Sequence, residues 1–340
     1  MQNILQQKNI RHLMLLLVTI VVFCLPFLTS NNYYLSVLVV IGIHAIVVIG
    51  LSLLMGYAGQ ISLGHAAFYG LGAYTSCILT TSTSLSPWLA MLIGAVGTGA
   101  VAYIIGRPIF KLREHYLALA TLGLGLIVHV IFMEEVDLTG GPSGKTLGSL
   151  ELGNIQLDTN FKYYFLVWAV ALLVLIITNN IVHSRTGRAL RAINGSEFAA
   201  KSLGVNADRY KLHVFTLSAV YASIAGSLYA HYVTFISPAP FSMMVSIKFL
   251  VMAVVGGLAS TWGPILGVAG ITLLTEGLKT IVPQLMPNAG GEYEIVVYGI
   301  ILVVIMIFLP EGFVSGLQGI FNKWSRRREQ GTDRSPKSEA

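Results

Sequence analysis

The sequence predicts an all-α protein that crosses a membrane many times, and its composition, its hydropathy and its loop charges support this fold class. Hydrophobic residues make up 55% of the 340-residue chain, whereas charged residues make up only 11%. Soluble domains carry about a quarter charged residues, because a water-facing surface needs them. Lipid contact explains the deficit, and inside a bilayer the backbone satisfies its hydrogen bonds by forming helices.

Long apolar segments recur along the chain, and about 20 apolar residues in a helix cross a bilayer core of about 30 Å. The first segment contains Pro26 and lacks an A-x-A cleavage site, so we expect a retained helix rather than a removed signal peptide. The expected architecture is one transmembrane domain over residues 1–320 and a disordered, basic cytoplasmic tail over 321–340. The spans, roughly ten in number, are predicted near 12–29, 33–54, 61–80, 87–106, 115–133, 162–180, 211–232, 244–258, 262–282 and 293–310.

The lysines and arginines predict how the chain is oriented. Seventeen of the 21 basic residues fall in the alternate loops and the tail that share one side with the N-terminus, and four fall on the other side. Cytoplasmic loops carry this excess in membrane proteins. Both termini are therefore expected in the cytoplasm, and the pI of about 9.2 reflects orientation rather than nucleic-acid binding.

The segment GYAGQISLGHAAFYGLGAYTS, residues 56–76, combines many glycines with polar side chains at membrane depth. Polar groups are costly there and usually face protein or a cavity. Gln60, Ser62 and His65 are therefore candidates for a translocation path. The alternative is close helix packing through small residues, with Gln60 and Ser62 hydrogen-bonded to neighbouring backbone.

Residues 181–211 form the one large cytoplasmic loop between predicted spans. We interpret Asn194-Gly195 as a turn, Ser196 as a helix N-cap and Gly204 as a helix stop. The intervening helix of about two turns places Glu197 four residues before Lys201, which favours an ion pair. Ala199, Ala200 and Leu203 give this helix a small, smooth face. Such a helix either inserts into a partner's groove or lies on the membrane surface.

Two features suggest other activities but do not fit their requirements. GGPSGKT, at 140–146, lacks the G-x-x-x-x-G-K-[ST] spacing of a nucleotide-binding loop and lies on the predicted outer side. Ser62 and His65 lack the third group of a supported nucleophile, and no H-E-x-x-H zinc motif occurs. We therefore expect no catalytic site, metal or cofactor. For His44 and His129, in apolar helices, we expect hydrogen-bonded partners.

Two motifs resemble a known family. Permeases of ABC importers carry a cytoplasmic E-A-A-x-x-x-G loop that docks on an ATPase, and residues 199–204 read AAKSLG, with Phe198 separating Glu197 from the alanines. The stretch G-Y-A-G-Q-x-S-L-G-H-A-A-F resembles the permeases of branched-chain amino acid ABC importers, the LivM type. The resemblance extends to about residue 320 through LALATLGLG, LTGGPSG, TGRALRAI, YAHYVTFISP and VVGGLASTWGPILG.

The resemblance implies a ten-helix permease of the bacterial inner membrane that forms half of a path for leucine, isoleucine or valine. It also implies a second, similar permease, two cytoplasmic ATPase subunits and a periplasmic binding protein. Urea or short-chain amide import, ion-coupled secondary transport and a passive channel remain alternatives. The path candidates are Gln60, Ser62, His65, Tyr69 and Thr121, and those for ATPase docking are Glu197, Ala199, Ala200, Lys201 and Gly204.

Overall fold

The computed structural model describes residues 22–27, 31–83, 85–110, 114–152, 155–156, 159–258, 260–285, 299–300 and 303. Within these ranges the protein is mostly helical, as predicted. The chain divides into two compact units, Met1–Leu250 and Val251–Ala340. Most of the first and last predicted spans, and all of the predicted tail, lie outside the described residues, although residues 22–27 and 299–300 are helical.

The first unit is built from long helices joined by short connections. The helices that follow residues 22–27 are α1 Asn32–Ser52, α2 His65–Ser82, α3 Pro87–Ile109, α4 Glu114–Glu134, α5 Val136–Thr139, α6 Asn160–His183, α7 Arg185–Gly195, α8 Glu197–Ser202 and α9 Ala207–Val233. Helix α10, Met243–Gly256, runs from the first unit into the second, which continues with α11, Gly263–Leu285. The strands are two residues long: β1 Lys145–Thr146, β2 Glu151–Leu152, β3 Ile155–Gln156 and β4 Phe235–Ile236.

Five helical segments among the described residues are long and apolar enough to cross a membrane: 32–57, 87–109, 116–134, 160–183 and 207–233. Each coincides with a predicted span. The predicted span at 61–80 differs, because helix begins only at His65. A π-helical turn, Leu53–Tyr57, ends α1, and residues 58–64 are largely non-helical. π-Helical turns are rare and are frequent at functional sites.

Small residues let α2, α3 and α9 pack closely in the first unit. A Cβ atom on Gly226 would overlap the carbonyl oxygen of Tyr69, and one on Gly72 would overlap the backbone of Ser223. Hydrogen bonds support the same contacts, because Ser227 donates to Gly72 O at 3.0 Å and Thr98 donates to Ser223 at 3.1 Å. This is the packing expected of helices in lipid, where apolar burial no longer drives association.

The outer faces of α3 and α4 are apolar and exposed. On α3, Leu92, Val96 and Ile104 are 60%, 66% and 68% exposed, and on α4 Leu119 and Ile127 are 63% and 61% exposed. Contiguous apolar surface of this kind is rare on soluble monomers. These faces suit contact with lipid or with another membrane subunit.

The GGPSGKT stretch forms a glycine turn. Gly140, Gly141 and Gly144 all have positive φ, and β1 pairs antiparallel with β4, which places Lys145 opposite Ile236. The chain enters a two-residue strand rather than the helix that a nucleotide-binding loop requires. His231 Nδ1 hydrogen-bonds to Gly148 O at 2.9 Å, which ties the end of α9 to the connection between α5 and α6.

The second unit repeats the use of glycine for close approach. A Cβ atom on Gly267 would overlap Met252 O, and one on Gly263 would meet the backbone of Gly256 and Gly257. Further along α11, Lys279 Nζ lies 2.8 Å from Glu276 Oε1, three residues earlier on the same helix.

Candidate functional site: a broken helix tied to a cytoplasmic docking helix

We call residues 56–65, which run from the end of the π-helical turn to the first residue of α2, the path segment. Its backbone departs from helix where Gly59 adopts φ +68°, a conformation that favours glycine. The amides of Gly59 and Gln60 still bond to Met55 O and Leu54 O, each at 3.2 Å. Irregular backbone at membrane depth is tolerated where protein or a cavity covers it, and Ser62, Gly64 and His65 are all buried.

The path segment and the first turn of α2 bond to three other helices through the His65 side chain and two backbone amides. Ser62 Oγ lies 3.0 Å from His65 Nδ1, and His65 Nε2 hydrogen-bonds to Ser218 Oγ of α9. The Leu63 amide donates to Thr121 Oγ1 of α4 at 3.0 Å, and the Ala66 amide donates to Ser246 Oγ of α10 at 2.9 Å. The start of α2 is therefore held by neutral hydrogen bonds, which cost less to bury than charges.

Four of the five path candidates lie in the path segment or hydrogen-bond to it, and their roles differ. Ser62, His65 and Thr121 are fully buried and use their polar atoms within the chain. Gln60 is 3% exposed and donates to Ala58 O at 3.1 Å, the local backbone contact of the packing alternative. Ser62 and His65 lack the carboxylate that orients a catalytic histidine, because the far ring nitrogen faces a serine.

Tyr69, the fifth candidate, lies one turn further along α2 and differs from the others. It is 1% exposed, yet its hydroxyl has no hydrogen-bond partner among the described residues. Its ring packs at 5.3 Å from Phe241 and 5.7 Å from Phe249, and the His44 ring lies 6.4 Å away. A buried polar group without a partner costs about 1–3 kcal/mol, so its presence calls for an explanation.

His44 has the same property, which corrects the expectation that His44 and His129 have hydrogen-bonded partners. The Nδ1 atoms of both are buried without a partner in the described part of the chain. The His44 ring packs 5.2 Å from Phe249, so His44 and Tyr69 present two unpaired polar atoms within one aromatic cluster. Apolar walls with a few polar groups are typical of small-molecule sites.

The loop at 181–211, predicted to be cytoplasmic, folds as two helices rather than one, and the predicted turn at Asn194-Gly195 is wrong. Helix α7 continues through both residues to Gly195. Asn194 lies in the last turn of α7, and its Nδ2 donates to Gly56 O of the path segment at 3.0 Å. A Cβ atom on Gly59 would come within 2.6 Å of Asn194 Oδ1, so the glycine gives this side chain its space.

Helix α8, which we call the docking helix, has the predicted capping. Ser196 Oγ accepts a hydrogen bond from the Ala199 amide at 3.3 Å. Gly204 follows with φ +82°, and the amide of Val205 bonds back to Ala200 O at 3.0 Å. The sequence pattern thus located both ends of this short helix.

The docking helix is fixed to the chain by charges and by one buried alanine. Glu197 lies 2.9 Å from Lys201, as predicted, and 2.5 Å from Lys211, whose side chain is 6% exposed. Lys201 also pairs with Asp208 at 3.1 Å. Burial alone would raise the pKa of Glu197, but hydrogen bonds from Lys201 and Lys211 lower it, and the Glu197 hydrogen bond raises the pKa of Lys201.

The docking helix exposes large apolar side chains on its surface. Phe198 and Leu203 are each 84% exposed, and Ala199 and Gly204 are also exposed. Ala200, by contrast, is 2% exposed and packs against Ile193 and Ala207, so it faces the protein rather than a partner. Large exposed apolar side chains of this kind mark a surface that suits contact with another protein or with a membrane.

The site residues predicted from the sequence did not include Asn194, His44, Ser218 and Ser246. Ser218 and Ser246 lie in apolar segments, where a polar side chain is itself a signal of a bonded partner. Asn194 gave no such signal, because Asn-Gly reads as a turn from local preferences.

Known proteins resemble this chain over most of its length. Residues 33–306 match the family described as "Branched-chain amino acid transport system / permease component". The chain is 30% identical to the high-affinity branched-chain amino acid transport system permease protein LivM of Escherichia coli, over 85% of this chain and 71% of that protein. It is 29% identical to LivM of Salmonella typhimurium, over 89% and 74% of the two chains. It is also 27% identical to the permease protein LivH of Escherichia coli, over 80% and 91%.

Proposed function

We propose that this chain, which belongs to the branched-chain amino acid transport permease family, forms half of the translocation path of an ATP-driven importer for leucine, isoleucine and valine. It is a multi-pass membrane permease subunit of a branched-chain amino acid transport system. Its membrane is the bacterial inner membrane, with both termini in the cytoplasm. ATP hydrolysis takes place on separate subunits.

The proposed mechanism depends on one observation: the docking helix begins three residues after Asn194, whose side chain hydrogen-bonds to the path segment. Phe198 and Leu203 offer an apolar surface to an ATPase, and Asn194, four residues before Phe198, bonds to Gly56 O. Glu197 and Lys211 fix the docking helix to α9. A displacement of this helix by an ATPase therefore reaches both the broken end of α1 and the base of α9.

The path segment suits a role in switching between two states. Its breaks lie beside Gly59, and neutral hydrogen bonds to α4, α9 and α10 hold it. Such bonds exchange at lower cost than ion pairs, because each polar group is uncharged. Substrate and ATP then select between the inward-facing and outward-facing states through different affinities for each.

The aromatic cluster around Tyr69 and His44 is the proposed substrate contact. The rings of Phe241 and Phe249 suit an aliphatic side chain, and the unpaired Tyr69 hydroxyl and His44 Nδ1 suit the amino and carboxylate groups. Gln60, Ser62, His65 and Thr121 hold the neighbouring backbone in place. The contact is expected to be weak, since a binding protein supplies the selectivity and tight binding would slow release.

The proposed partners are a second, similar permease, two cytoplasmic ATPase subunits and a periplasmic binding protein. Relatives named LivM and LivH both resemble this chain, which supports a pair of different permeases. Ion-coupled transport fits less well, because carboxylates in the five described spans lie only at their ends, at Glu134 and Asp208. Urea or a short-chain amide is the alternative substrate, and competition with labelled leucine distinguishes the two.

Co-purification with mass spectrometry tests the assembly. Wild-type protein is expected to retain an ATPase and a second permease, whereas Phe198→Asp with Leu203→Asp loses the ATPase and abolishes leucine uptake. Both side chains are exposed, so the melting temperature should not change. Phe235→Asp, at a 43% exposed position on the predicted outer side, is the matched control and retains the ATPase. A chain that purifies alone and still transports leucine overturns the proposal.

A further inference from the structure

A charged groove lies where the end of α3 meets the start of α9. It encloses about 430 Å³. Arg107 enters it from α3, and Arg209 and His213 enter it from α9. The remaining lining residues are Tyr103, Phe110, Asp208 and Leu212. None of these residues lies in the docking helix or in the path segment, although Asp208 pairs with Lys201 of the docking helix.

The arginines of this groove are not neutralised within the described residues. Arg107 stacks on the ring of Tyr103, with its guanidinium carbon 5.0 Å from the ring centroid, and donates to the Tyr103 hydroxyl at 3.4 Å. Arg209 forms no ion pair or side-chain hydrogen bond in the described part of the chain. The one carboxylate in the groove, Asp208, pairs with Lys201 at 3.1 Å. The groove therefore favours an anion.

The position of the groove identifies which anion. Ile104, less than one turn before Arg107, is 68% exposed, and Val101 and Val96 continue the same exposed apolar helix surface. A tyrosine and an arginine at the end of such a surface are typical of the level of lipid headgroups. An anion with an attached hydrocarbon chain satisfies both parts of this site, whereas a soluble phosphate satisfies only the groove.

We propose that the groove binds the headgroup of an anionic phospholipid in the cytoplasmic leaflet. The Arg107 and Arg209 guanidinium groups contact the phosphodiester, His213 offers a further ring nitrogen, and the acyl chains lie along the exposed face of α3. Guanidinium groups suit phosphate oxygens because their N–H groups form a planar fork. Basic pockets between membrane helices on the cytoplasmic side bind such headgroups. The assignment to this leaflet rests on the predicted orientation.

Lipid titration of the assembled importer tests the proposal. The complex is reconstituted in phosphatidylcholine nanodiscs with increasing phosphatidylglycerol, and native mass spectrometry counts the phosphatidylglycerol molecules retained after release. Arg107→Gln with Arg209→Gln is compared with Arg185→Gln with Arg188→Gln, a pair on α7 that removes the same charge outside the groove. Arg107→Lys with Arg209→Lys tests whether charge alone suffices.

The groove double variant is expected to retain phosphatidylglycerol about 30-fold more weakly than wild type, as the loss of two phosphate contacts at a membrane surface implies. The α7 pair should behave like wild type, and the lysine pair should lie between. Equal loss in the α7 pair would indicate general surface charge and overturn the site. The proposal is also overturned if the groove variant retains as much phosphatidylglycerol as wild type does. It is overturned as well if millimolar glycerol 3-phosphate displaces the lipid. A cross-link from residue 209 to a partner subunit in the intact complex also overturns it, because the groove would then be covered by protein.

Discussion

The path segment has ten residues and the docking helix has six, and both interrupt the long helices of the first unit. They differ in the kind of interaction that holds them. In the path segment, Ser62 and His65 are buried and hydrogen-bonded to each other, and His65 also bonds to Ser218 of α9. The docking helix is held by ion pairs from Glu197 and exposes Phe198 and Leu203. A bilayer makes charges costly and apolar surface free, whereas water does the reverse. Asn194 joins the two regions through Gly56.

Close backbone approach between α2 and α9, the helices that continue from the path segment and from the loop, predicts the largest effect. Gly226→Ala should abolish folding, because the new methyl group would overlap Tyr69 O; overpacking costs about 1–3 kcal/mol and more where backbone must move. Gly97→Ala, where no atom lies within 4 Å of the new methyl, should be neutral. Monodisperse yield and melting temperature in detergent measure both. A folded Gly226→Ala protein would contradict the packing described for α2 and α9.

Two tyrosine-to-phenylalanine variants distinguish a hydroxyl that contacts the substrate from one that stabilises the fold. Tyr69→Phe removes a hydroxyl without a described partner, so stability should hold or rise while leucine uptake falls about tenfold, the cost of about one lost hydrogen bond to a charged group. Tyr163→Phe removes a hydroxyl that donates to Leu228 O at 2.6 Å, so it should lower the melting temperature. Uptake in proteoliposomes and thermal unfolding are the two measurements. Unchanged uptake in Tyr69→Phe would remove this residue from the proposed path.

The link between the two regions is tested at Asn194. Asn194→Ala should keep the ATPase bound, because Phe198 and Leu203 remain, but leucine uptake should drop several-fold relative to ATP hydrolysis. The stability cost should be about 1 kcal/mol, the net worth of one hydrogen bond. The ratio of leucine transported to ATP hydrolysed measures coupling. Ser202→Ala, on the exposed side of the docking helix, is the control, and an unchanged ratio in Asn194→Ala would mean that the contact with Gly56 transmits nothing.

The ion pairs of the docking helix predict the smallest effect. The pKa of Glu197 is lowered from 4.5 in the folded protein, so its stabilisation is present above about pH 4.5 and is lost as the pH falls further. The pKa of Lys201 is raised, so its contribution is lost only in strong alkali. The difference in melting temperature between wild type and Glu197→Gln should be constant from pH 7 to 5 and shrink below pH 4.5. A difference that grows in acid would contradict the sign.

Local signals explain what could be predicted from the sequence. Apolar length predicted the five described spans, and Ser196, Glu197, Lys201 and Gly204 predicted the limits and the ion pair of the docking helix. These features depend on contacts within one turn of helix or on the solvent around it. Glycine and polar residues likewise drew attention to residues 56–65 before the structure placed them.

Tertiary contacts decided the rest, because partners far apart in sequence leave no local pattern. His65 bonds to Ser218, 153 residues away, and Asn194 bonds to Gly56, 138 residues away. Such a contact changed an apparent Asn-Gly turn into the end of a helix, and packing turned Ala200 inward while it left Phe198 and Leu203 outside. Apolar length and composition were enough to predict that this chain spans a membrane. They also showed which segments combine glycine with polar residues at membrane depth. Only the folded chain decided which polar atoms are satisfied and which, such as the Tyr69 hydroxyl, are left for something else to bind, since hydrogen-bond satisfaction depends on three-dimensional position.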